Sequence, residues 1–312
     1  ALVCSQQAVI MKLFSILIVF ALLQYWGSGG PIQQDSWFNS IIKKLLANPV
    51  AKNAAVWLLP LLVVLLPAAL VQLVLWQVDG VAFSIAELGI TGIVLLYSLG
   101  RNEFNQLVET YLRSWNSDDM EGAYCHAQDF SCLKPLGNGE IEVGNLAELH
   151  KHAFTAIVYQ GFERWFVVIF WFLLLGPSGA LAYRLGFLYS RHSLTNEASI
   201  VKPIQALMHW VEWLPAQLLG LSFALAGNFG SCFVLWRKRM TITSDSVCEM
   251  LMNYAIAALG VNEELACQGE CLAADRAKSI SDGNQQIVGL QQLLHRCVVL
   301  WVIGLSVFIL FV

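Results

Sequence analysis

The run from Tyr159 to His192, YQGFERWFVVIFWFLLLGPSGALAYRLGFLYSRH, decides the fold class of this chain. Between Trp165 and Tyr183 it carries no charged residue, and a Gly-Pro pair starting at Gly176 interrupts it. A helix of about 20 apolar residues crosses the hydrocarbon core of a bilayer. The sequence therefore predicts a membrane protein, and charged residues beside such runs are the first functional candidates.

The composition of the whole chain agrees with this prediction. Hydrophobic residues make up 57% of the 312 residues and charged residues only 13%, whereas soluble domains carry roughly a quarter charged residues. The net charge of −4 is small and forms no clustered basic stripe, which argues against a nucleic-acid partner. We therefore expect an all-α, polytopic helical membrane protein with about four to six membrane segments, and the lipid bilayer as a partner.

The alternation of apolar and polar stretches predicts how the chain is divided. We expect a short extension at 1–10, followed by three transmembrane helices in 11–99 with an interfacial helix at 36–52. A cytoplasmic helical region at 100–158 leads into a membrane segment at 159–230, which contains the Gly-Pro break and a Pro-containing interfacial or re-entrant helix. A soluble helical region at 231–296 and a C-terminal transmembrane helix at 297–312 complete the expected division. Lysines after the first span place that loop in the cytoplasm by the positive-inside rule. The side on which residues 185–296 lie stays open.

Three charged residues border the central apolar run. Glu163 and Arg164 open it, either as an interfacial pair that holds the helix end at headgroup depth or as part of a ligand-binding site. Arg184 interrupts its far end. We expect Arg184 either to neutralise Glu163, if the Gly-Pro break folds the segment back, or to extend to the opposite interface.

Acidic residues in the polar region after residue 100 are further candidates. Glu103, Glu109 and Asp119 are expected to face Glu163 at the cytoplasmic mouth of a binding site. Asp119 and Glu121 follow Asp118 at the start of a predicted helix. They are explained either as a helix N-cap or as ligands of a divalent cation.

No motif in the chain predicts a catalytic residue, a metal site or a cofactor. Cys267 and Cys271 are separated by three residues, and no second pair follows at zinc-ligand spacing. His150 and His152 lie two apart, so a helix does not present both to one ligand. A glycine-rich phosphate loop, a Ser/His/Asp order and a zincin motif are all missing from the sequence.

Three stretches resemble a known family when taken in order. They are the runs from Ser98 to Tyr124, from Phe170 to Arg184 and from Trp210 to Ala226, which together with their spacing span roughly residues 55 to 230. They resemble the AmpE family, membrane proteins paired with AmpD in the control of chromosomal β-lactamase in Gram-negative bacteria. That family is in turn similar to CobD/CbiB, the adenosylcobinamide-phosphate synthases.

The chain departs from the synthase pattern at charged positions. Thr155 and Tyr159 stand where the synthases have glutamates, Gln160 stands for an asparagine, and Gln217 replaces an arginine. Only Glu163 keeps a carboxylate there. Joining an amine to a carboxylate with a nucleotide needs carboxylates for metal and proton handling and cations for phosphate.

The resemblance therefore implies a non-enzymatic protein of the bacterial inner membrane that modulates β-lactamase induction and peptidoglycan-recycling signalling, with a protein partner in that route. Two alternatives remain open. One is a CobD/CbiB-like amide-forming enzyme with an altered substrate, which would use a divalent cation or a nucleotide. The other is a small-molecule transporter, suggested by broken helices and buried charges.

Overall fold

The computed structural model describes residues 14–23, 35–46, 58–78, 84–100, 104–130, 146–194, 202–240, 246–261 and 273–311. Within these ranges the regular secondary structure is helical, and there is no strand. The helices are α1 (Phe14–Leu23), α2 (Ser36–Leu46), α3 (Leu58–Val78), α4 (Ser84–Ser98), α5 (Phe104–Asn116), α6 (Met120–Asp129), α7 (Leu146–Gly161), a π-helical turn (Phe162–Val167), α8 (Val168–Leu175), α9 (Pro177–Leu194), α10 (Lys202–Ala226), α11 (Phe229–Arg239), α12 (Val247–Leu259) and α13 (Ala273–Phe311). The expected all-α class is confirmed. The predicted extension at 1–10 lies outside the described residues.

The described residues form two units. The first contains those before 103, those from 164 to 212 and those from 303 onward. The second contains those from 104 to 163 and from 213 to 302. The long helical run through α7 and α8, and helix α10, each contribute residues to both units.

Helix α9 is the centre of the first unit and packs against α2, α3, α4 and α8. The Gly-Pro break separates α8 from α9. Gly176 has a φ of +74°, which favours glycine, and its N–H closes α8 by donating to the carbonyl of Phe172. Pro177 then opens α9 at a position where a missing N–H costs nothing. Helices α8 and α9 pack against each other near this break. The carbonyl oxygen of Trp171 on α8 is only 2.7 Å from where a Cβ on Gly179 of α9 would be.

The second unit is built around α7, which packs against α5, α6 and α12. Helix α5 buries Phe104, Val108, Tyr111 and Trp115, whose spacing places them on one face of the helix. Burial raises the pKa of Tyr111, which therefore stays neutral in the core. Large aromatic side chains thus form the core of this unit.

Two described helices are long and apolar enough to cross a membrane, Leu146–Leu175 and Asp275–Val307. Four further described helices are apolar but shorter: Phe14–Leu23, Leu61–Gln77, Ala86–Ser98 and Val247–Leu259. The structure thus agrees with an all-α membrane protein.

Two predicted segments can be compared with the observed helices. The expected change at residue 297 from soluble region to transmembrane helix is not a helix boundary, because α13 runs without a break from Ala273 to Phe311. A change from polar to apolar side chains does not interrupt backbone hydrogen bonding, so it need not end a helix. The interfacial helix expected at 36–52 is helical over Ser36–Leu46, and the remainder of that range lies outside the described residues.

Candidate functional site

The first unit contains a largely buried ion pair. A terminal nitrogen of Arg184, on α9, lies 2.9 Å from a carboxylate oxygen of Asp35, and the two side chains are only 11% and 23% exposed. Asp35 precedes α2, and its carbonyl accepts the first hydrogen bond of that helix from Asn39. The pair therefore fixes the start of α2 against the middle of α9.

Aromatic and glycine residues surround this pair, and together we call them the Arg184 cluster: Asp35, Trp37, Tyr97, Gly100 and Arg184. The rings of Trp37 and Tyr97 lie 6.1 Å apart. Gly100 has a φ of +69°, and a Cβ at this position would be 3.1–3.3 Å from the guanidinium atoms of Arg184. The positive φ favours glycine at this position, and an added Cβ would require the guanidinium to move by a few tenths of an ångström.

A second buried carboxylate in the first unit was not among the predicted site residues. Glu212 is buried and accepts a hydrogen bond of 3.1 Å from the Tyr183 hydroxyl. Glu212 is the only Asp, Glu, Lys or Arg between Lys202 and Arg237. An isolated carboxylate in an apolar stretch is a signal that sequence reasoning can use, because such a group is costly to bury without a partner.

The second unit contains a neutral polar group, the Gln217 cluster: Thr155, Gln217, Met250, Met252 and Tyr254. The amide of Gln217 donates to the sulfur of Met250 at 3.3 Å and accepts from the Tyr254 hydroxyl at 3.3 Å. The Thr155 hydroxyl lies 2.9 Å from the sulfur of Met252. These groups donate and accept hydrogen bonds, but none is charged at neutral pH.

His150 occupies a separate buried position in the second unit. Its ring contacts Trp115 at a centroid distance of 5.3 Å, and its Nε2 lies 2.9 Å from the side-chain oxygen of Gln286 on α13. Gly283 makes room for both rings, since a Cβ there would be 2.9 Å from Trp115 and 3.1 Å from His150. His150 thus joins α7 to α13 by packing and one hydrogen bond.

Glu163 and Arg164 lie in the π-helical turn Phe162–Val167. Glu163 is buried in the second unit, whereas Arg164 is half-buried and belongs to the first. A π-helical turn inside an α-helix is uncommon and is frequently found at functional sites. The role of the two residues in a binding site stays a prediction.

The acidic residues predicted around residue 100 are placed as follows. Asp119 is the N-cap of α6, because its side chain accepts a hydrogen bond of 3.0 Å from the N–H of Gly122. Glu121 is exposed in the first turn of that helix. Glu109 is exposed and lies 3.7 Å from Arg113 on α5. Glu103 lies outside the described residues.

The capping explanation of this acidic group is therefore confirmed for Asp119. The neighbouring Asp118 faces Arg276 of α13 with contacts of 2.7–3.0 Å on an exposed surface. In the part of the chain that the structure describes, no three His, Cys, Asp or Glu residues lie close enough to hold a metal ion.

One partner of Arg184 is Asp35, a pairing that was not expected from the sequence. Asp35 is separated from Arg184 by 149 positions. Its only local signal is that it stands directly before an amphipathic helix, which is typical of an N-cap. That signal predicts the cap but not the ion pair.

Comparison with known proteins gives the family. Residues 11–270 match the family model described as regulatory signalling modulator protein AmpE. The chain belongs to the AmpE family. Protein AmpE of Shigella flexneri is 20% identical over 233 residues, which cover 72% of this chain and 78% of that protein. No solved structure matches the chain. The AmpE-family resemblance of the three sequence stretches is thus confirmed.

Proposed function

We propose that this AmpE-family protein is a multi-pass protein of the inner membrane of a Gram-negative bacterium, where it modulates β-lactamase induction and the signalling that follows peptidoglycan recycling. It does so without the synthase chemistry of CobD/CbiB. Its partners are the lipid bilayer and a protein of the signalling route. The proposal rests on the family, on the chemistry of the Gln217 cluster and on the apolar surface of α3.

The Gln217 cluster is the observation that carries the non-enzymatic part of the proposal. Thr155 and Gln217 stand at positions where the resemblance places a glutamate and an arginine in the synthases. Here both are buried and hydrogen-bonded to neighbours in the core, namely Met252, Met250 and Tyr254. A neutral, packed cluster has neither the carboxylates that bind a divalent cation nor the cations that bind phosphate.

The membrane location is supported by the surface of α3. This helix of 21 residues has no charge, and several of its leucines are about half exposed: Leu62, Leu65, Leu66, Leu70 and Leu73. Soluble proteins rarely expose an apolar surface of this size, whereas lipid covers it at no cost.

The test is β-lactamase activity in the source bacterium with and without inducer. The gene is deleted and then restored as wild type, as Glu163→Gln, or as Glu249→Gln. The two variants make the same carboxylate-to-amide change at a buried and an exposed position, so Glu249→Gln is the matched control. Membrane-fraction blots confirm equal amounts of each protein.

We expect deletion to change the induced activity, and both wild type and Glu249→Gln to restore it. Glu163→Gln fails to restore it if Glu163 belongs to the signalling site. Unchanged induction after deletion contradicts the proposed role, and assay of amide formation on a cobinamide-type substrate then tests the enzymatic alternative.

A further inference from the structure

The first unit contains an apolar cavity of about 180 Å³. It lies among α3, α8, α9 and the part of α10 before residue 212. Its lining is apolar apart from two aromatic side chains with polar atoms, Trp171 and Tyr183. An apolar cavity of roughly 150 Å³ is large enough for a small hydrocarbon and stays dry.

The two polar groups in the lining already have partners inside the protein. The indole N–H of Trp171 donates to the carbonyl of Val211 at 3.3 Å, and the Tyr183 hydroxyl donates to Glu212 at 3.1 Å. An occupant therefore receives contacts from hydrocarbon groups. A polar occupant would lose its hydrogen bonds to water without replacement, which costs several kcal/mol.

Helix α9 provides the floor of the cavity with residues that have little or no side chain. Gly179, Ala182 and Gly186 follow one another at intervals of three and four, so they lie along one face of the helix. Gly186 is approached by the sulfur of Met208, which would be 3.2 Å from an added Cβ. The carbonyl of Trp171 and the side chain of Leu175 likewise lie close to Gly179. Ala182 lies between these two contacts and lines the cavity, so a larger side chain there would reduce its volume.

The rim of the cavity consists of exposed leucines. Leu61, Leu65, Leu175 and Leu207 all line the cavity and are between 41% and 58% exposed. Two of them belong to α3, whose apolar surface continues beyond the rim. In a bilayer, the hydrocarbon that reaches such a rim is the acyl region of the lipid.

We propose that this cavity binds a segment of one acyl chain of a bilayer phospholipid, which enters from the α3 side and lies against α9 at Ala182. The proposal rests on the membrane location proposed above, but not on the role in β-lactamase induction. A peptide segment fits less well, because its backbone groups would find no hydrogen-bond partner in the lining.

The experiment uses the full-length protein in liposomes of phosphatidylethanolamine and phosphatidylglycerol, with a small fraction of phospholipid carrying a diazirine on its acyl chain. After illumination, labelled residues are located by mass spectrometry. Ala182→Leu adds a side chain that fills part of the cavity. Gly89→Leu adds a side chain on α4, where no atom lies within 4 Å of the new Cβ, and is the matched control.

We expect label on the cavity-lining residues between Trp171 and Gly186 in the wild type and in Gly89→Leu. In Ala182→Leu this label falls several-fold, whereas label on the exposed surface of α3 at Leu70 is unchanged. Ala182→Leu should be at least as heat-stable as the wild type, because it fills a void. If it unfolds the protein, the smaller Ala182→Val serves the same comparison.

Equal labelling of Trp171–Gly186 in wild type and Ala182→Leu overturns the proposal, and so does a wild type labelled at Leu70 but not in the cavity. Failure of the protein to float with liposomes would instead contradict the membrane location. A negative β-lactamase result leaves the lipid assay unaffected, so the failures of the two proposals are distinguishable.

Discussion

The first unit buries an ion pair between Arg184 and Asp35, whereas the second unit buries a neutral hydrogen-bonded group around Gln217. Removing two charges from water costs several kcal/mol per ion, and the attraction between them often does no more than offset this cost. A neutral amide is cheaper to bury once its hydrogen bonds are made. A contribution to stability therefore explains the Gln217 cluster better than it explains the Arg184 cluster. The Arg184 cluster is for this reason the stronger candidate for a conformational or ligand-related role.

Breaking the buried ion pair should have the largest effect. Asp35→Leu leaves the Arg184 guanidinium without its carboxylate and is expected to cost about 3–5 kcal/mol of unfolding free energy. The double variant with Arg184→Met removes both charges and should recover most of this loss. Denaturant unfolding in detergent micelles measures the difference. A single variant as stable as the wild type would show that the pair is solvated in solution.

Introducing a charge into the neutral cluster should have the next largest effect. Gln217→Glu places a carboxylate beside Tyr254 and Met250 with no cation in the cluster, and we expect a loss of about 2–3 kcal/mol. Gln217→Met is the neutral control of similar volume and should cost about 1 kcal/mol, because it removes only hydrogen bonds. The same unfolding assay compares them. Equal losses for the two variants would mean that the cluster does not discriminate against charge.

A side chain at Gly100 should destabilise the Arg184 cluster by a smaller amount. In Gly100→Ala an alanine must adopt the left-handed backbone conformation, and its Cβ lies 3.1–3.3 Å from the guanidinium of Arg184. We expect this to lower the free energy of unfolding by about 1–2 kcal/mol. Gly89→Ala, in a helix with open space around it, is the control and should be neutral or stabilise by up to about 1 kcal/mol. The thermal unfolding midpoints of the two variants are compared with that of the wild type. An unchanged midpoint for Gly100→Ala would mean that the guanidinium lies further from Gly100 than the structure shows.

The exposed ion pair between Arg276 and Asp118 should matter least. The side chains are 40% and 47% exposed, so water and salt screen the attraction. Arg276→Ala is expected to cost less than about 1 kcal/mol, and less still at high ionic strength. Unfolding at low and high salt measures this. A loss as large as that of Asp35→Leu would remove the distinction between buried and exposed pairs.

The sequence predicted features that depend on neighbours along the chain. The break at Gly176 follows from the conformational limits of glycine and proline, and the Asp119 cap joins residues three positions apart. Each of these has a cause within a few residues, so pattern and propensity are sufficient to place it.

Only the tertiary structure decided which polar groups meet. Asp35 and Arg184 are 149 positions apart, and His150 and Gln286 are 136 apart, so no local pattern connects them. Likewise the cavity beside Ala182 is lined by side chains of α3, α8, α9 and α10, which are remote from one another in the sequence. Helix packing sets these distances through the shapes of side chains from remote segments, which a single sequence does not reveal. The sequence by itself determined an all-α chain with apolar helices and the family to which it belongs; the packing of those helices determined its ion pair, its neutral cluster and its cavity.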